Sequence, residues 1–120
     1  MNGRVDRSGR ALVDLSVRPK PGAASHELKV WVDTAFTGEL VVPRSIIDEL
    51  QLPRSSAITA GLADGTQAVL DTFSCLVDWL GQEQQIEVIE SDGLFPLLGI
   101  ELLRRCRLEI DYRLTTVVID

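Results

Sequence analysis

Apolar positions recur along most of this chain at every second residue. Ala11, Val13, Leu15 and Val17 share one face of the run from Ala11 to Arg18, which predicts a half-buried strand. Pro19-Lys20-Pro21-Gly22-Ala23-Ala24-Ser25 is a turn-rich connection. Leu28 to Val32 returns as a second strand, so the two form a hairpin. Leu40-Val41-Val42 is a short apolar strand, and there the period changes. Pro43 suits a helix start, because its missing N–H costs nothing there. Ile46, Ile47 and Leu50 follow at helical spacing, which predicts a helix over Arg44–Leu50 that Pro53 ends.

Strand pattern then resumes. Ser56 to Leu62 and the long alternating run Val69 to Trp79 flank Ala63-Asp64-Gly65-Thr66, and Asp-Gly between apolar runs is a strong hairpin signal. Val69, Asp71, Phe73, Cys75, Val77 and Trp79 fall on one face. Gly81-Gln82 turns the chain into a strand with Ile86 and Val88, and Ser91-Asp92-Gly93 turns it again. Phe95 to Leu98 precedes Gly99. Leu102, Leu103 and Cys106 give a short helix over Glu101–Cys106 its apolar side, with Glu101 and Arg105 spaced to pair. Leu108–Tyr112 and Leu114–Ile119 are the last strands. Two stretches match in order: Val32-Asp33 to Gly38 leading to the first helix, and Leu98-Gly99 leading to the second. A parallel βαβ sheet needs more and longer helices, so the pattern predicts an all-β fold. We expect a polar N-terminal segment over residues 1–10 and one domain over 11–120.

Composition narrows the function. The chain has 120 residues, of which 45% are hydrophobic and 5% aromatic, so its core is aliphatic. A net charge of −6 disfavours a nucleic-acid backbone or an anionic membrane as partner. The aromatics Trp31, Phe36, Phe73, Trp79, Phe95 and Tyr112 do not cluster along the sequence, which disfavours a base-stacking platform. Cys75 and Cys106 read as reduced thiols acting as small hydrophobes. The single histidine, His26, stands in a polar segment without ligand spacing, so no metal is expected. No signal-like apolar stretch and no bilayer-length run occurs, and the expected location is cytoplasmic.

Asp33 is the residue that needs a reason. It ends the apolar run Leu28–Val32, and a charge there is costly to bury unless it is paired or hydrogen-bonded. A turn Asp capping its own loop is the ordinary explanation. The surrounding residues point further. Val32-Asp33-Thr34-Ala35-Phe36-Thr37-Gly38 resembles the Asp-Thr-Gly loop of the retropepsin-like aspartic proteases (clan AA). The resemblance is to the small single-domain bacterial or archaeal type. Leu97-Leu98-Gly99-Ile100 resembles their second signature, an apolar pair and Gly before a short helix, and Leu108-Glu109-Ile110-Asp111 resembles the strand that follows it. Ala35 stands where the family pattern has Gly. A positive φ there costs an alanine on the order of 1–2 kcal/mol, whereas a negative φ leaves only the methyl group to accommodate.

That resemblance implies a closed acid-protease β-barrel with two short helices, assembled as a homodimer, acting on a peptide or protein substrate without cofactor. Asp33 is its catalytic residue, and Thr34, Ala35, Thr37 and Gly38 form the supporting loop. Gly61, Leu62, Ala63, Asp64, Gly65 and Thr66 form a flap that closes over substrate, and Leu98 and Gly99 are the second signature. No other Asp repeats the apolar-Asp-Thr context, so a pair of catalytic carboxylates needs two chains. The apolar strand at 115–119 is the expected place for them to join. A catalytically silent dimer of the same fold, binding peptides or a partner protein, is the alternative. A structural β domain meeting the motif by chance is a third.

Overall fold

The computed structural model describes residues 1–61 and 63–120; Leu62, expected in the flap, lies outside them. Ten strands and two short helices follow one another: β1 (Asn2–Val5), β2 (Ala11–Arg18), β3 (His26–Val32), β4 (Leu40–Pro43), α1 (Arg44–Leu50), β5 (Arg54–Gly61), β6 (Gln67–Trp79), β7 (Gln82–Ser91), β8 (Leu97–Leu98), α2 (Ile100–Leu103), β9 (Leu108–Asp111) and β10 (Thr116–Ile119). The fold is all-β. The strands run in the order β5-β6-β7-β4-β8-β3-β2-β1-β10-β9. Ser16–Arg18 of β2 also pair with Leu76–Asp78 of β6. Pairings therefore run in a ring through β6, β7, β4, β8, β3 and β2, with β5 outside it on one side and β1, β10 and β9 on the other.

Alternation sets the core. Val13, Leu15 and Val17 of β2, Val30 of β3, Cys75 and Val77 of β6, Val88 of β7 and Leu98 of β8 are all buried. Leu40 and Val42 of β4 join them, and Ile47 and Leu50 of α1 pack over the same interior. Each such aliphatic side chain contributes about 1.5–3 kcal/mol on burial. The helix over 44–50 forms as its pattern predicts, and ends at Gln51 in a left-handed conformation (φ 56°).

Four expectations change. Residues 1–10 supply β1, which pairs with β2 and β10; its pattern is weak because only Val5 of this strand is buried. The second helix stops at Leu103, and Arg105 takes a φ of 67°. Its neighbour Arg104, three residues on from Glu101, makes the ion pair at 2.8 Å. The terminal strand finds two partners within its own chain, since β10 lies between β1 and β9. The alternating face of β6 is buried from Phe73 onward, but Val69 is 72% exposed, because there the strand leaves the body and pairs only with β5. Among the described residues no helix is long and apolar enough to cross a membrane.

Candidate active site

β3 and β8 run parallel, with Trp31 opposite Leu97 and Val32 opposite Leu98. The two signatures, far apart in sequence, therefore lie side by side at the same level of the sheet. Where β3 ends, the Asp33 N–H donates to the Leu98 carbonyl at 2.8 Å. The Asp33 Oδ1 accepts the Ala35 N–H at 3.0 Å, and its carbonyl accepts the Phe36 N–H at 3.2 Å. This is the tight loop expected of Asp-Thr. It leaves Thr34, Ala35 and Thr37 exposed at the surface, and Asp33 half-buried.

The second half of the loop turns toward α2. Gly99 N–H donates to the Glu39 carbonyl (2.9 Å), Ile100 N–H to Phe36 (2.9 Å), and Glu101 N–H to Gly38 (3.1 Å). Carbonyls of the Asp33 loop thus satisfy the orphan amides of the first helical turn. Gly99 is required for space. Its φ of −95° suits any residue, but a Cβ would lie 2.1 Å from the Gly38 carbonyl oxygen. Ala35 is absent from the residues with positive φ. Of the two possibilities at this position, only the methyl group applies.

Asp33 faces an open hollow of about 380 Å³ lined by Trp31, Val32, Asp33, Thr34, Ala35 and Leu97. One wall extends past Trp31. The Trp31 and Phe95 rings meet edge to face at 6.3 Å, so two aromatics that stand apart in sequence do cluster. The Arg10 guanidinium lies 4.6 Å from the Phe95 ring centre and 5.8 Å from that of Trp31. The sequence carries a signal for Trp31: it occupies the outward face of β3, two residues before Asp33. Nothing in the local sequence ties Arg10 or Phe95 to it.

The residues expected to form a flap stand elsewhere. Gly61 and Ala63–Thr66 belong to the end of the β5–β6 hairpin, with Gly65 at φ +88°. Asp64 Oδ1 accepts both the backbone N–H (2.9 Å) and the hydroxyl (2.6 Å) of Thr66. These bonds hold the Asp64 carboxyl below the usual carboxylate range. None of these tip residues lines the hollow. Loop and hairpin meet instead at the hairpin root. Glu39 Oε1 accepts the Glu87 N–H at 2.9 Å, and the Glu87 carboxylate accepts the hydroxyls of Ser55 (2.9 Å) and Thr72 (3.3 Å).

This all-β fold has counterparts among solved structures. A retropepsin-like aspartic protease from Rickettsia conorii superposes with a TM-score of 0.69 at 17% identity, covering 99% of this chain and 88% of that one. EIAV protease in complex with an inhibitor gives 0.64 at 14%, covering 83% and 90%. The retroviral protease-like domain of Ddi1 from Leishmania major gives 0.52 at 15%, covering 91% and 88%. No protein-family model and no curated protein matches the chain. The chain has the retropepsin-like fold. At such identities the likeness carries the fold, and the chemistry rests on this chain's own residues.

Proposed function

We propose that the protein is an aspartic endopeptidase that works as a homodimer. The observation that supports this most directly is the setting of Asp33: a half-buried carboxylate at the mouth of an apolar hollow, in a loop fixed by hydrogen bonds to Leu98 and from Gly99, Ile100 and Glu101. Amide hydrolysis by carboxylates needs two of them sharing a proton, since two adjacent like charges do not both ionise. The lining of the hollow contributes one acid, Asp33. A two-fold axis between identical chains brings it beside its own copy. The ionised member of the pair takes a proton from a water, the water oxygen attacks the peptide carbonyl carbon, and the protonated member gives its proton to the carbonyl oxygen. The newly protonated carboxyl then protonates the amide nitrogen, the other carboxylate takes back a hydroxyl proton, and the C–N bond breaks to release the acid and the amine. Thr34 holds the two loops together across the axis, and the hairpin end with Gly61 and Ala63–Thr66 closes over the peptide and excludes water. The cytoplasm is the proposed setting.

A second reading is a catalytically silent dimer that binds peptides or a partner protein, favoured by Ala35 at the family's Gly position. Purified protein incubated with a peptide library at mildly acidic pH separates the two. Cleavage is expected, with a bell-shaped pH profile whose two limbs belong to the pair. Asp33→Asn is expected to keep the fold and to lower turnover by about a thousandfold or more. Unchanged cleavage in that variant, or a monomer in sedimentation at tens of micromolar (roughly where modest interfaces still assemble), counts against the mechanism.

A further inference from the structure

Arg10 places a cation against the wall of the Asp33 hollow, and the proposed hydrolysis does not use it. Its Nε donates to Asp6 Oδ2 at 2.8 Å, and the Arg10 backbone N–H donates to Asp6 Oδ1 at 2.9 Å. The Ser8 N–H donates to the same Oδ1, so the Asp6–Arg10 turn is locked around one carboxylate. Two aromatic rings support the guanidinium from below, Phe95 at 4.6 Å and Trp31 at 5.8 Å. Such a cation is held in place from two sides before any ligand arrives. Among the described residues nothing accepts a hydrogen bond from its Nη atoms, and its side chain is 32% exposed. A guanidinium with its Nε engaged and its outer edge open is suited to receive a carboxylate through two parallel N–H donors.

We propose that Arg10 is a specificity residue for acidic substrates. It receives the side-chain carboxylate of a Glu or Asp lying within two residues of the cleaved bond, while an apolar neighbour in the peptide packs on Trp31 and Leu97. This deepens the peptidase reading and rests on it. Trp31 and Leu97 line the hollow with Asp33, and successive residues of an extended peptide advance about 3.3 Å. Trp31 stands two positions before Asp33 at the end of β3, so a peptide lying along that strand end reaches the Trp31 ring about two residues from the Asp33 carboxylate. Overall charge works against this preference: the chain carries −6, and a diffuse field of that sign repels acidic peptides. A preference for Glu thus has to come from a local cation. Arg4, Arg7 and Arg10 stand in the first ten residues with Asp6 as the sole acid there. Asp6 acts as a positioning residue, since it orients the guanidinium and leaves its outer edge open.

The test uses the whole protein and peptide pairs identical except for Glu against Gln at each position within two residues of the cleaved bond. The parent is expected to favour Glu in kcat/KM by about tenfold at one position, the scale of one charge-assisted hydrogen bond. Arg10→Gln should bring that ratio to about one, and Arg10→Lys should retain part of it. If the guanidinium only clamps the turn at residues 6–10 onto Phe95, Arg10→Gln lowers both rates together and leaves the ratio intact, which overturns the proposal. So does a parent without preference. If the parent cleaves no peptide, the peptidase reading fails separately. Calorimetric binding of the same pairs to Asp33→Asn then decides the matter. Tighter binding of the Glu peptide, lost in Asp33→Asn combined with Arg10→Gln, upholds the assignment to Arg10; equal binding, or none of either peptide, ends it.

Discussion

The Asp33 loop and the β5–β6 hairpin are built on opposite plans. The loop is short and fixed from both sides: five backbone hydrogen bonds run within it or tie it to Leu98–Glu101, and the residues behind it, Val32, Leu40 and Leu98, are buried. The hairpin is long and exposed. Every residue of β5 from Arg54 to Thr59 is exposed, and the burial of β6 begins only near Thr72. Beyond its root the hairpin is held by its own ladder, the pairs Ile58–Leu70 to Gly61–Gln67. A segment with few buried contacts opens at low cost. The proposed catalytic residue thus stands where the chain is over-determined, and the proposed flap where it is not.

The largest test of that contrast compares two glycines. Gly99→Ala puts a methyl carbon against the Gly38 carbonyl, where the gap is 2.1 Å between backbone elements. It should cost about 3 kcal/mol and disturb Asp33. At Gly61 in the hairpin, an added methyl would have nothing within 4 Å, and the alanine variant should lie within about 0.5 kcal/mol of the parent. Urea unfolding of both checks the pair. Equal costs would erase the distinction between the two regions.

A smaller effect is expected at the root, where the regions touch. Glu87→Ala removes the acceptor for Ser55 and Thr72, a loss of about 1 kcal/mol. Native-state hydrogen exchange should speed up at Ile58 and Leu70 while Asp33 and Gly99 keep their protection. Faster exchange at Gly99 as well would mean that loop and hairpin open as one unit.

How much of this is legible in the sequence depends on the range of the interaction that decides it. The helix at 44–50, the hairpin of β2 and β3, and the Asp-Thr and Leu-Gly signatures are readable because local period and turn residues specify them. The strand at Asn2–Val5 is not, since its partners Leu12 and Val117 lie outside the segment. Nor is the interior place of β10, which the pattern at 115–119 leaves open to a second chain. The Arg10–Trp31–Phe95 contact follows from Trp31 and Leu97 pairing across β3 and β8, and no local rule brings those strands together. The end of α2 is misread from the pattern because Leu102, Leu103 and Cys106 continue the helical spacing past the point where the backbone turns at Arg105.

Acid titration probes the hairpin tip. The Thr66 hydroxyl and amide lower the Asp64 pKa from 3.8. A carboxylate whose folded pKa is depressed adds stability above its unfolded value and loses it as pH falls through the folded one. The tip turn should therefore stay formed at mildly acidic pH and loosen only below about pH 3.8, the unfolded value. The Asp64 carboxyl shift, followed by NMR, should show a midpoint below that of an unstructured peptide. Thr66→Val removes the hydroxyl and keeps the amide, and should return the midpoint part of the way to the ordinary range.

Ala35 gives the smallest expected effect. Sequence alone casts it as a handicap, because Gly at this place tolerates a positive φ and close approach. The structure removes the first concern: Ala35 lies outside the left-handed region, and its N–H donates to Asp33 Oδ1 as any residue's would. Its exposed methyl meets no strain within the chain. Ala35→Gly therefore adds backbone freedom to the unfolded state without relieving anything in the folded one, and should cost about 0.4–1 kcal/mol. Turnover should change by less than about threefold, since a displacement of about 1 Å is what costs roughly a hundredfold and none is forced here. A gain of about tenfold or more, some 1.4 kcal/mol of barrier, would carry a different message. It would mean that the methyl presses on a second copy's loop across the proposed two-fold axis, so that the fixed geometry of this loop in one chain differs from that of the proposed dimer's site.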